Sequence, residues 1–481
     1  MSQTAGESPG GSSAPSYEEL AAALAEVRAV LARRDAALVE AHSMIAALQA
    51  EVAELRARLE VDSSNSSLPP SAEGLRKKPV QPRRPGGRRG KRPGAPGSHL
   101  AMVADPDTVV EHVPAVCGGC GGGLDAARVV GTARRQVFDV PPVRVAVVEH
   151  RVQRRRCGGC GSVTAGVFPA AARAPACYGP GVRALIAYLG VHQHLPVDRC
   201  AQLLSDVLGV PVATGTVAAV VAEAAQVLSP AVEAIRERLI AAPVVHFDET
   251  AGRVAGRLHW LHTASTDTLT LVAAHPKRGV EAMDAAGVLP QFQGVAVHDG
   301  WAPYRRYDVE HALCNAHHLR ELTAAAEQGH DWAGHLAELL RAANRWVTDA
   351  KAAGRDALDP ALLAAIHARY DGHLTQAAAA HPPRPGPRGK PAALAARLDR
   401  HRDDVLRFTA DFRVPFDNNQ AERDIRPVKL QQKISGCWRT LPGAQAFCTS
   451  RSYISTARKN GQHVLDALRQ AFTGTPWLPA T

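Results

Sequence analysis

Aromatic residues are scarce in this 481-residue chain, at 5%, while Ala is abundant. That balance disfavours an all-β sandwich and favours helix. No run approaches ~18 uninterrupted apolar residues, and the first sixteen positions are mostly Gly, Ser, Pro and polar. Neither a membrane span nor a secretory signal is expected, and the chain is expected to stay in the cytoplasm. The nine cysteines are few for the length and, without a signal, do not imply a disulfide framework. What is present, 46% hydrophobic and 21% charged residues, is the balance of a globular chain with room for about three domains at ~150 residues each.

Acid is missing from one stretch altogether. Between Arg76 and Arg92 stand nine basic residues (Arg76, Lys77, Lys78, Arg83, Arg84, Arg88, Arg89, Lys91, Arg92), which nearly account for the net charge of +10. Interleaved Pro and Gly keep this stretch extended, so it reads as a solvated basic tether whose natural partner is a polyanion, through counterion release from phosphates. A merely solubilising linker is the alternative.

Residues 17 to 59 carry a heptad without a slip: Tyr17, Leu20, Leu24, Val27, Leu31, Arg34, Leu38, Ala41, Ile45, Leu48, Val52, Leu55 and Leu59. A 3.5-residue period sustained this long predicts a left-handed coiled coil and hence a homo-oligomer; a long helix packed on its own domain is the alternative. Helix breakers at Asp62–Pro70 stop it.

Two identical Cys-Gly-Gly-Cys units follow, Cys117/Cys120 and Cys157/Cys160, flanking a stretch (Val137 to Val152) that reads as β-rich. Two such knuckles joined by a hairpin would set four sulfurs around a structural Zn²⁺, a zinc ribbon, with a redox Cys-x-x-Cys as the lesser alternative. Arg151, Arg154, Arg155 and Arg156 precede the second knuckle and could lie along DNA. An apolar helix at Gly181–Gly190 comes next. Then Val197–Leu208, the turn Gly209-Val210-Pro211-Val212 and a helix from about Thr214 form a helix-turn-helix pattern, which plain helical packing also produces.

Val244–Thr250 is an apolar run ending in acid at Asp248, and the runs Arg257–Ala264 and Thr268–His275 continue it as a meander. Gly294–Gly300 repeats the theme with Asp299. A short strand Ala312–Cys314 leads to a helix near His317. This order suggests a ribonuclease-H-like α/β core with Asp248 and Asp299 at the ends of adjacent strands. Two like charges side by side call for a cation, and Mg²⁺ is a hard ion that takes carboxylate oxygens. The candidate third acid is Glu422, on a helix opened by Asp417 or Asn418 where Glu422, Arg426 and Lys429 share one face. Pro427 is expected to bend or end that helix. Asp417, Asp424 and Glu249 compete for the role.

These residues are familiar as a set. The chain resembles the DDE transposases of the insertion-sequence-66 family over nearly its whole length: the leucine heptads, Ser63–Ser67 with Pro69-Pro70-Ser71, and the paired Cys-x-x-Cys units. The likeness continues in Asp248-Glu249-Thr250, His298-Asp299-Gly300-Trp301, Cys314-Asn315-Ala316-His317, Asn418–Arg423 and Ser452–Gly461. The resemblance implies a catalytic triad of Asp248, Asp299 and Glu422 holding Mg²⁺ or Mn²⁺. It implies metal-dependent cleavage at the ends of an insertion sequence, then strand transfer into target DNA. Cys314 and His317 match a family C-x-x-H motif, but His318-Leu319-Arg320-Glu321 follows where a more basic stretch is expected. Arg423, Arg426 and Lys429 read as phosphate clamps, and Arg83, Arg84, Arg88 and Arg89 as tether contacts to DNA. Partners implied are double-stranded DNA, a second copy of the chain and companion proteins of the element, with no membrane, in a bacterial, nucleoid-associated setting.

The expected organisation is an α/β multidomain protein. It runs from a coiled coil (1–62) through a basic Pro/Gly-rich linker (63–105), a zinc ribbon (106–176) and a helix-turn-helix region (177–239). The ribonuclease-H-like mixed-sheet core follows in two parts (240–324 and 413–436), separated by a helical insertion (325–412) and ending in a C-terminal helical segment (437–481). Two rivals stand beside the transposase: a zinc-ribbon/helix-turn-helix regulator with a decayed catalytic core, and a ribonuclease-H-like nuclease that cuts without joining.

Overall fold

A computed structural model of the chain describes residues 16–59, 100–141, 143–169, 171–382 and 389–479. The basic tether, with Arg83, Arg84, Arg88 and Arg89, lies outside the described residues. The chain forms two compact units, Met1–Leu75 with His311–Asn418, and Arg76–Glu310 with Asn419–Thr481.

Helix α1 (Tyr17–Leu59) runs 43 residues and opens on a capping box. The Ser16 N–H donates to Glu19 Oε2 (2.8 Å) and the Glu19 N–H to Ser16 Oγ (3.2 Å), satisfying donors that a helix start leaves open. Its heptad residues Leu20, Leu24, Val27, Leu31, Leu38, Ile45, Leu48 and Val52 are all exposed.

Near the second Cys-Gly-Gly-Cys unit, β1 (Arg154–Arg156) pairs antiparallel with β2 (Val163–Ala165). The expected strand at Val137–Val152 does not form. Its described side chains are largely exposed, no strand pairs with it among the described residues, and alternating apolar residues without a surface to cover do not hold a strand. Helix α2 (Pro180–Ala187) continues as a π-helical turn, Tyr188–His192. Helix α3 (Val197–Leu208) ends at Gly209, left-handed at φ 66°, and α4 (Thr214–Ala241) follows after a short turn. Helix α4 is the one helix among the described residues long and apolar enough to cross a membrane. Its Val217, Val220, Ala224, Leu228, Ala231, Ile235 and Leu239 nonetheless form a buried stripe at helical spacing, the pattern of a core helix.

Strands β3 (Val244–Val254), β4 (Arg257–Ser265) and β5 (Thr270–His275) make an antiparallel meander. After α5 (Val280–Ala286), β6 (Val295–His298) runs parallel to β3, and β7 (Glu310–Leu313) completes the order β5-β4-β3-β6-β7. The result is a mixed α/β fold. Gly294 is required where β6 begins beside β3, since a Cβ there would sit 2.5 Å from the Pro243 carbonyl oxygen and 2.7 Å from that of Ala242. Five helices follow: α6 (Asn315–Glu327), α7 (Asp331–Ala352), α8 (Pro360–Ala380), α9 (Lys390–Arg400) and α10 (Arg402–Ala410). Asp359 caps α8 by accepting from the Ala361 and Leu362 amides. Helix α11 (Asn419–Ser435) passes through Pro427, so of the expected bend or end the end does not occur; Ile425 and Val428 on either side of the proline are buried in the core. Helices α12 (Leu441–Lys459) and α13 (Val464–Phe472) close the chain.

β5 is an edge strand, and α12 satisfies its outward backbone groups with side chains. The Val272 N–H donates to Ser452 Oγ (2.8 Å) and the Thr270 N–H to Thr456 Oγ1 (3.0 Å), while Thr456 Oγ1 donates to the Thr270 carbonyl (3.2 Å). Lys459 Nζ reaches the Thr266 and Leu269 carbonyls, and Asn460 Nδ2 that of Thr268. Thr456→Val keeps the shape and removes the hydroxyl, orphaning a buried amide at a cost of ~1–3 kcal/mol. Urea denaturation of the variant is expected to show that loss; an unchanged midpoint would mean that this hydrogen bond is not what closes the edge.

Candidate functional site

The two Cys-Gly-Gly-Cys units fold alike. The Cys117 N–H donates to the Gly122 carbonyl (2.8 Å) and the Gly121 N–H to that of Cys117 (2.9 Å); Cys157 with Ser162 and Gly161 with Cys157 repeat both bonds at the same lengths. Gly121 (φ 74°) and Gly161 (φ 69°) sit in the left-handed region that lets each loop close so tightly. Amides of Gly119 and Cys120 lower the Cys117 thiol pKa, and the Ser162 hydroxyl and amide lower that of Cys160. Such thiols suit a thiophilic ion. Each knuckle is formed on its own: the four sulfurs do not gather within 4.8 Å of one another. Arg154, Arg155 and Arg156, on β1 immediately before the second knuckle, are fully on the surface, and Arg151 and Arg155 line an open groove with Thr164 and Gly166.

In the helical region, Tyr178 Oη donates to the Pro211 carbonyl (2.6 Å) and so holds the turn between α3 and α4. Glu223 on α4 pairs with Arg173 (2.8 Å) and with the buried Arg183 of α2. The exposed start of α4 presents Thr214, Gly215, Ala218 and Ala219, with none of the Arg, Asn or Gln side chains that read bases bidentately.

The acids of the mixed sheet are placed differently from expectation. Asp248 is not at a strand end. β3 continues six residues beyond it, and Asp248 pairs with Thr263 inside the ladder. Its Oδ1 accepts from the Glu249 N–H (2.9 Å). Asp299, one residue past β6, is turned to its own loop and accepts from the Trp301 N–H (2.8 Å). Glu249, whose side chain is 2% exposed, has the strongest partners: Arg278 Nη2 at 2.7 Å and Tyr304 Oη at 2.7 Å. The Arg278 guanidinium is held between the rings of Trp260 (4.6 Å) and Trp301 (3.9 Å). Burial, then the neighbouring Glu249 charge, pushes Asp248 well above the usual carboxylate range, with Asp299 and Glu422 adding smaller repulsions. Burial raises Glu249 as well, against the pull of Tyr304 and Arg278. On α11, Arg423 and Arg426 are exposed, whereas Lys429 is spent on the fold: its Nζ donates to the Ala251 carbonyl of β3 (2.9 Å).

The divalent-metal reading is overturned. Among the described residues, neither Asp248 nor Asp299 belongs to any group of three or more Cys, His, Asp or Glu side chains with all ligand atoms within 4.8 Å of one another, so they do not gather into the oxygen shell that Mg²⁺ or Mn²⁺ takes. Each is bonded instead to a neighbouring backbone amide. An Asp248–Asp299–Glu422 triad, its Mg²⁺ or Mn²⁺, and the cleavage and strand transfer routed through them are therefore not supported. The Glu249–Arg278–Tyr304 network was not foreseen beyond Glu249 as a competing acid; its members lie 29 and 55 positions from Glu249, with no local signature.

An Asp248 pKa raised in the fold means that the native state holds its proton more tightly than the unfolded chain. The carboxyl is neutral in both states below the unfolded value of ~3.9; above it, ionisation costs the fold stability as pH rises toward the folded pKa. In metal-free buffer, Asp248→Asn is expected to raise Tm at pH 7, with the gain fading toward pH 3. A lower Tm at pH 7 would show that the carboxylate makes a net favourable contact instead.

No curated protein matches the chain. The zinc-finger binding domain of transposase IS66 matches residues 114–161, which span both knuckles. The Transposase IS66 family matches residues 175–446, more than half of the chain, covering the helical region, the mixed sheet and α11. The chain belongs to the IS66 family of transposases.

Proposed function

We propose that this family member, at work in the bacterial cytoplasm and nucleoid, acts as a DNA-binding regulator whose grip on double-stranded DNA comes from its zinc-ribbon region. The carrying observation is the pair of matching Cys-Gly-Gly-Cys knuckles with an exposed Arg154–Arg156 strand between them, within the matched zinc-finger segment. Cys117, Cys120, Cys157 and Cys160 would hold structural Zn²⁺, which supplies the fold of a segment with little buried apolar surface of its own. The basic tether with Arg83, Arg84, Arg88 and Arg89, and Arg423 and Arg426 on α11, add phosphate-seeking charge. Helices α3 and α4 are read as a helix-turn-helix. The β3–β4–β5 meander with a parallel β6 supports a ribonuclease-H-like reading of the core. A nuclease that cuts without joining needs the same divalent-metal site and falls with it.

The exposed apolar face of α1 supports self-association as a coiled coil, since burying its leucines and valines against a second copy contributes roughly 1.5–3 kcal/mol each. A variant lacking residues 1–62 is expected to lose the oligomeric mass of the full chain in light scattering; retention of that mass would remove α1 as the interface.

Binding of a labelled duplex over a salt series tests the main reading. Log affinity should fall linearly with log salt, and the triple change Arg154→Gln, Arg155→Gln, Arg156→Gln should flatten the slope by up to ~0.9 for each phosphate no longer neutralised. Cys157→Ser, or stripping zinc, should weaken binding at least about tenfold. Full DNA affinity in the zinc-free protein would overturn the zinc-ribbon assignment, and absence of DNA binding by the intact chain would overturn the regulator.

A further inference from the structure

At the end of the π-helical turn, His192 is approached by two arginines of α12. Arg451 Nη1 lies 2.9 Å from His192 Nδ1 and Arg458 Nη1 3.2 Å from Nε2. A neutral imidazole has one acceptor nitrogen and one N–H, while guanidinium can only donate. Two donors therefore face a ring that can accept from one. Protonating the ring makes the conflict worse, and burial with the adjacent arginines holds the His192 pKa down at about 4. One guanidinium is left short of an acceptor whichever tautomer is present.

The surroundings do not supply that acceptor. Neither Arg451 nor Arg458 has a carboxylate within ion-pair distance among the described residues, and the Arg451 Nε is buried without a hydrogen-bond partner. The nearby acid, Asp424, is already engaged by Lys459 Nζ (2.6 Å) and by Gln420 Nε2 (2.8 Å). Arg451 and Arg458 are seven residues apart and so lie on one face of α12, and Arg458 is exposed. The segment that presents His192 is held firmly. His194, at φ 58°, bonds Gln431 Oε1 through Nδ1 (3.0 Å), and its carbonyl accepts from Ser435 Oγ (2.6 Å). A strained backbone fixed from both sides aims the ring at α12.

We propose that His192, Arg451 and Arg458 form a binding site for a phosphate oxyanion, occupied by a backbone phosphodiester of DNA. An anion gives the surplus guanidinium N–H groups charged acceptors in a bidentate arrangement. The assignment to DNA rests on the DNA-binding reading above and adds to it an anchor point outside the zinc-ribbon segment and the α3–α4 helix pair.

The test uses the full chain with two variants, since Arg451 also packs against the fold. Arg458→Gln removes the exposed donor. His192→Glu supplies the missing acceptor from within, so it should fill the site without lowering Tm. Both are expected to weaken binding of a labelled random-sequence duplex several-fold and to reduce the log affinity–log salt slope by about 1. Inorganic phosphate should shift the His192 imidazole resonances of the unaltered chain and leave Arg458→Gln unaffected. If the unaltered chain binds DNA and both variants match it in affinity and slope, the site is refuted while the regulator reading stands. If the unaltered chain binds no DNA, the regulator reading falls. In that case a phosphate response at His192 would mark a site for free phosphate and overturn the DNA assignment; no response would overturn the site as well.

Discussion

An open sheet edge is the constraint around which the larger unit is arranged. β5 ends the order β5-β4-β3-β6-β7 with its outward amides and carbonyls unpaired by any strand. Left so, they would template pairing with another chain. Helix α12 closes that edge with hydroxyls one turn apart, Ser452 and Thr456, and with the long reach of Lys459 and Asn460. Because α12 also packs Ala444, Phe447, Ile454 and Ala457 into the core shared with α4, the polar bonds and the apolar face fix one register of helix on strand. The rest of the unit inherits that register, including the side of α12 that carries Arg451 and Arg458.

The acids in the sheet are governed by burial and mutual repulsion. Asp248 feels the charges of Glu249, Asp299 and Glu422, and Glu249 that of Asp299, yet the compensating groups go chiefly to Glu249. Arg278, pressed between Trp260 and Trp301, and the Tyr304 phenol hold that carboxylate, while Asp248 and Asp299 take single amide bonds from neighbouring residues. Membership of a transposase family and the geometry of this site thus lead in different directions. Family membership speaks for the DNA-directed architecture, while Asp248 and Asp299 join no cluster of metal-ligating side chains among the described residues.

Local pattern was legible where a periodic signal or a turn residue set the structure. The heptad from Tyr17 to Leu59 matches the helix residue for residue, and Val197–Leu208 ends at Gly209 as its left-handed conformation demands. The meander and a fourth strand were legible too, from short apolar runs between turns, but the parallel pairing of that strand with β3 was not. Asp248 was misplaced because Glu249–Arg253 breaks the apolar run, although those residues still pair with β4 through Trp260 and His259. Val137–Val152 alternates like a strand but pairs with no strand among the described residues, so pattern alone misled. The Glu249–Arg278–Tyr304 and His192–Arg451–Arg458 groups join residues far apart in the chain, and nothing short of tertiary packing reveals them.

The π-helical turn at Tyr188–His192 has a further consequence for how this chain can vary. Such a turn carries one residue more than an α-helical path over the same distance. Deleting a single residue there would return the backbone to ordinary winding and swing everything downstream by about 100° around the helix axis. His194 would leave its seat against Gln431 and Ser435, and α3 would follow it. Length changes that an exposed loop absorbs without effect should therefore be rare in this five-residue stretch, however freely its individual side chains are exchanged.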